Sequence, residues 1–122
     1  MTTQRQLDGI TKDIKGVLLI AGLPYPKAVE RANNLAQAME CGASDEDIKH
    51  MMALLPLEGK DALFFSLKAI WVSRTASSRN EAELSLGSMV GQKHDIDDMM
   101  IVALCDSLEK EGWWGHQEEV LQ

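Results

Sequence analysis

"LDGITKDIKGVLLIAGLPYP", residues 7–26, decides how the start of the chain folds. Stepping about 100° per residue from Leu7 gathers Leu7, Ile10, Ile14, Val17, Leu18 and Ala21 on one face and leaves Lys12 and Lys15 off it. The stretch is therefore an amphipathic helix. Pro24 and Pro26 end it, because they lack amide donors and push their predecessors away from helical geometry. Pro26 then suits the first turn of a second helix.

The same period continues outward. Val29, Ala32, Leu35, Ala36 and Met39 form the apolar face of the second helix, and Gly42 is placed to close it in left-handed geometry. Ser44 can cap a third helix, with Asp45, Glu46 and Asp47 favourably placed at its positive N-terminus and Pro56 as its stop. A fourth helix near 58–75 carries Leu63, Phe64, Leu67, Ile70 and Trp71 on one side and Phe65, Ala69 and Val72 on another, which implies a central position. Ser78 and Glu81 have capping-box spacing and open a fifth helix through Leu84, Leu86, Met89 and Val90, closed by Gly91. Asp95 starts a sixth, near 95–111, whose "MMIVALC" segment is apolar almost all round and is expected to be buried.

No sustained alternation and no Asn-Gly or Asp-Gly hairpin turn argues for strands. The fold class expected is all-α, a single-domain bundle of five to six helices, with the helices near 58–75 and 95–111 most buried. The bundle should span 1–112, leaving 113–122 as a C-terminal tail that can pack back on it.

A chain of 122 residues with 45% hydrophobic and 25% charged residues is the size and composition of one folded domain. Its longest apolar runs, Gly16–Leu23 and Met99–Cys105, fall well short of the ~20 residues that cross a bilayer. The N-terminal stretch mixes acids and bases and has no convincing cleavage site, so no signal peptide is expected. Cys41 and Cys105 have no paired neighbour in sequence, which fits a reducing, cytoplasmic setting.

Charge is unevenly distributed. Residues 1–80 hold ten Lys/Arg and nine Asp/Glu, whereas residues 81–122 hold two and ten, so the net charge of −7 belongs to the last third. That segment would repel phosphates, and direct nucleic-acid binding is not expected of it.

Residues 38–55, "AMECGASDEDIKHMMALL", have helix-turn-helix spacing around Gly42. A recognition helix presents its first turn to phosphates and base edges, and here that turn is "SDED". A packing-only hairpin is the expected reading. "KHDIDDMM", residues 93–100, gathers His94, Asp95, Asp97 and Asp98, but no Glu-x-x-His motif or second carboxylate pair completes a metal site, and helix capping explains Asp95 and Asp98. Cys41 with His50 and Cys105 with His116 lack zinc-ligand spacing. There is no Gly-x-Ser-x-Gly and no phosphate loop. The expectation is no catalytic residue, no metal, no cofactor and no enzymatic activity.

Lys60, Lys68, Arg74 and Arg79 give the middle of the chain a basic bias. On a wheel with Leu63 at zero, Lys68 falls near 140° and Arg74 near 20°, so they form no single stripe. Solvated faces, or pairing with the acidic last third, follow.

"EGWWGHQEE", residues 111–119, remains. With Gly112 just past the sixth helix, Trp113 and Leu108 occupy the two positions that touch in a Schellman ending. Trp114 either folds back on the bundle or anchors a partner.

These features suggest a non-catalytic protein-binding module, such as a small acidic inhibitor of the immunity, antitoxin or phage anti-defence type, that occupies a basic surface of a partner protein. Its expected contact residues are Glu81, Glu83, Asp95, Asp97, Asp98, Asp106, Glu109, Glu111 and Trp114. The alternative is a self-associating structural or adaptor subunit using the methionine pairs Met51-Met52 and Met99-Met100, for which core filling is the competing use. A helix-turn-helix regulator is the third reading.

Overall fold

The computed structural model describes residues 2–58, 60–90 and 98–114. Those residues form six helices and no strand: α1 (Gln4–Ile20), α2 (Tyr25–Glu40), α3 (Asp45–Ala53), α4 (Lys60–Thr75), α5 (Arg79–Val90) and α6 (Asp98–Lys110). The all-α class is as the periodicity requires. Gly91, His94, Asp95 and Asp97 lie outside the described residues, as does everything after Trp114. Among the described residues no helix is long and apolar enough to cross a membrane.

The chain divides into two compact units, Met1–Ile70 and Trp71–Gln122, with the division inside α4. Trp113 and Trp114, at the start of the segment expected as a tail that can pack back, are buried.

In the first unit α1 packs on α2, and α2 on α3. Thr3 caps α1 reciprocally with Gln6: the Gln6 amide donates to Thr3 Oγ1 at 3.1 Å and the Thr3 amide to Gln6 Oε1 at 2.9 Å. Ser44 and Asp47 do the same for α3. Gly22 (φ 109°) and Gly42 (φ 83°) end α1 and α2 in Schellman turns, with the Leu23 amide on Leu18 O and the Ala43 amide on Ala38 O, both at 3.0 Å. The unit's core is Ile10, Ile14 and Leu18 of α1, Ala28, Ala32, Leu35 and Ala36 of α2, Ile48 and Met52 of α3, and Leu63, Phe64 and Leu67 of α4.

In the second unit α5 packs on α6. Ala82 and Leu86 of α5, and Ile101, Cys105 and Leu108 of α6, supply its buried apolar positions. Two expectations change here. Leu84, expected on the apolar face of α5, is 69% exposed, because Ala82 and Leu86 are four residues apart on one side and Leu84 lies midway between them on the other. The sixth helix is not buried all round: Met99, Met100 and Val102 are 80%, 51% and 47% exposed. α6 buries a stripe at i, i+4 and i+7, and apolar composition alone supplies no second neighbour to cover its far side.

Candidate functional site

Among the described residues, two arginines hold four carboxylates of the acidic third. Arg79 opens α5 directly after Ser78, whose hydroxyl accepts the Glu81 amide at 3.2 Å. One turn on, Glu83 Oε1 meets Arg79 Nε at 2.6 Å. α6 brings Asp106 and Glu109 to the same guanidinium, with Nη1 2.8 Å from Asp106 Oδ1 and 2.5 Å from Glu109 Oε2. Asp106 and Glu109 are three residues apart and so share a helix face. The hydrogen bonds that Arg79 donates to Glu83, Asp106 and Glu109, in that order, raise the guanidinium further above its already high ordinary pKa. It stays charged at every relevant pH.

The second arginine, Arg74, is 3% exposed in the last turn of α4. Its fork grips Glu111, with Nη1 2.9 Å from Oε2 and Nη2 donating to Oε1 at 3.4 Å. The guanidinium carbon lies 4.4 Å from the centre of the Trp113 ring, a cation–π stack. Gly112, at φ 77°, makes the turn that allows this: its amide reaches Glu109 O at 2.9 Å and the Trp113 amide reaches Leu108 O at 3.0 Å. That is the Schellman ending the spacing implied.

Both indoles then turn to α4. Trp113 Nε1 donates to the Arg74 carbonyl and Trp114 Nε1 to the Ala76 carbonyl, each at 3.3 Å. The last carbonyls of a helix have no partner within it. Glu111, Gly112, Trp113 and Trp114 thus form a clamp on the end of α4, one residue neutralising its arginine and two taking its carbonyls. Trp114 is 8% exposed. It offers no open indole to a partner in this conformation.

Comparison with protein-family models, with curated proteins and with solved structures finds no match to this chain.

The expected contact residues, apart from the buried Trp114, therefore fall into four groups. Glu83, Asp106 and Glu109 come together around Arg79, and Glu111 sits apart on Arg74. Glu81 is exposed and turned to Ser77, whose hydroxyl and amide both donate to Oε2. Those bonds, the hydroxyl first, hold its carboxyl below the ordinary glutamate value. Asp95, Asp97 and the Asp98 side chain lie outside the described residues.

Of the basic residues in the middle of the chain, Arg74 and Arg79 take acidic partners from the last third. Lys68 instead pairs with Asp45 at 3.0 Å, and Lys60 Nζ donates to Ala53 O at 3.0 Å. The first turn of α3 keeps Asp45, Glu46 and Asp47 exposed, a negative surface where a DNA reader would need a positive one. Cys105 is fully buried and its thiol pKa is raised, first by desolvation and then by the charge of Glu83; Cys41 is exposed. Met52 fills the core as expected of it, whereas Met99 and Met100 face outward.

Proposed function

We propose that this protein is a non-catalytic binding module that docks on a basic surface of a partner protein through the acidic side of the α5–α6 hairpin. The observation that carries this reading is the imbalance at Arg79. Three carboxylates meet one guanidinium, which leaves two formal negative charges, and the side chains of Glu83, Asp106 and Glu109 remain 42%, 53% and 54% exposed. Internal pairing fixes their positions while leaving oxygen lone pairs for a second cation, and preorganised charge raises association rate and selectivity. Glu81, turned back to Ser77, is not part of this cluster. Trp114 is a positioning residue here, because it secures the segment that carries Glu111. The free thiols of Cys41 and Cys105 support a reducing, cytoplasmic setting.

The test is a charge-swapped cluster, Arg79→Glu with Glu83→Lys, Asp106→Lys and Glu109→Lys, which retains opposite-charge pairing. Wild-type protein used as bait in its native host should retain a basic partner that elutes with added salt, and the swapped protein should not, at unchanged circular dichroism. Equal capture by both would remove the acidic patch from the reading.

Self-association through α6 is the second reading, favoured by the exposure of Met99, Met100 and Val102. Light scattering separates the two: a concentration-dependent dimer that dissociates on Met99→Glu with Val102→Glu belongs to this reading, and a monomer to the first.

A further inference from the structure

The first unit contains a groove of about 360 Å³ along the seam of α1 and α2, which the acidic-surface reading does not use. We propose that it binds a linear monocarboxylate: a small amphiphile with one anionic head and an apolar chain. The volume lies in the range of small-molecule sites, about 300–1,000 Å³. Leu7, Val29 and Ala32 give it an apolar strip, with Thr11 and Asn33 beside them in the lining. One end, next to the α1–α2 turn, carries Lys15 and Tyr25, with the Lys15 ammonium 5.6 Å from the centre of the Tyr25 ring. The other end is lined by Gln4 and Gln37.

Lys15 and Gln4 are eleven positions apart on α1, so the groove runs about 16 Å at 1.5 Å per residue. That is room for an extended chain with its head at Lys15. The charged residues of its lining are Asp8, Lys12 and Lys15, of which Lys12 also takes an interaction of its own. Asp8 already accepts a hydrogen bond from Gln4 Nε2 at 2.8 Å, at the end remote from Lys15. The Lys15 ammonium therefore favours a negative head at the turn end, where the Tyr25 hydroxyl can add a donor, and disfavours a cationic one.

The experiment is a two-dimensional amide NMR titration of the full chain with decanoate, with decanol and decyltrimethylammonium as controls. Decanoate should saturate with half-effect below about 1 mM. Its shifts should be confined to α1, α2 and their turn. Lys15→Met should weaken decanoate at least about five-fold, roughly the worth of one charge-assisted contact, and leave decanol unchanged. Val29→Trp, which fills the apolar strip, should abolish both. Linear shifts without saturation, shifts spread into residues 71–114, equal binding of all three probes, or Lys15→Met binding like wild type would each overturn the proposal.

Discussion

Truncating Trp114 to alanine is the most direct test of the clamp that closes the second unit. The indole is 8% exposed. A tryptophan buries about 150–250 Å², which at about 25 cal/mol per Å² is about 4–6 kcal/mol. The unfolded chain already hides some of that surface, so about 3–4 kcal/mol survives. The bond to Ala76 O, long at 3.3 Å, adds about 0.5–1 kcal/mol. Trp114→Ala should therefore cost about 3–5 kcal/mol, in line with other buried aromatic truncations. Trp114→Phe loses the N–H but keeps most of the apolar contact, and should cost about 1–2 kcal/mol. Urea unfolding followed by far-ultraviolet circular dichroism is the assay. With a slope of about 1–3 kcal/mol per molar, the alanine variant's midpoint should fall by roughly 1–5 M. Hydrogen exchange should accelerate first in α5 and α6. An alanine variant with an unchanged midpoint would refute the clamp and return Trp114 to the role of exposed anchor. A phenylalanine variant as unstable as the alanine one would refute the apolar share of the reckoning.

Arg74→Met should cost about 1–3 kcal/mol in thermal unfolding, the lower end applying because Glu111 is 38% exposed and can resolvate. Arg74→Lys should recover less than half of this, since an ammonium neither forks to Glu111 nor stacks flat on Trp113; full recovery would mean that charge alone matters. Gly112→Ala forces a Cβ into φ 77° and should lose about 1–2 kcal/mol. Gly87→Ala in α5, with nothing within 4 Å of the added carbon, should gain about 0.5–1 kcal/mol, and a melting comparison of the two reads the sign directly. Glu81 has a lowered pKa in the folded chain, so its contribution is present above the ordinary glutamate range and disappears as pH falls through the lowered value. Acid titration of helicity should show less loss in Ser77→Ala than in wild type, and identical curves would dismiss the Ser77 contact.

Local features of the fold were legible where they depend on neighbours in sequence. Gly42 and Gly112 take the left-handed geometry that their places after α2 and α6 demand, and Ser44 caps α3. The box at Ser78 formed with one change: its hydroxyl takes the Glu81 amide, but the Glu81 carboxylate goes to Ser77, one residue earlier. Arg74 carried a signal that went unused. Its place about 20° from Leu63 on the wheel put it on an apolar face, where a guanidinium persists only with a carboxylate and a ring to hold it.

Helical period, caps and proline stops act over three or four residues, and for that reason the chain's amino acids alone were enough to establish an all-α fold of five to six helices. Which apolar faces are covered depends on what packs against them. Leu84, Met99 and Val102 fit helical stripes as well as Leu86 and Ile101 do, yet among the described residues only the latter two of these are buried. The convergence of Glu83, Asp106 and Glu109 on Arg79, and of Glu111, Trp113 and Trp114 on the end of α4, joins residues up to 39 positions apart. Such meetings are set by how the helices cross, which no periodicity along one helix encodes.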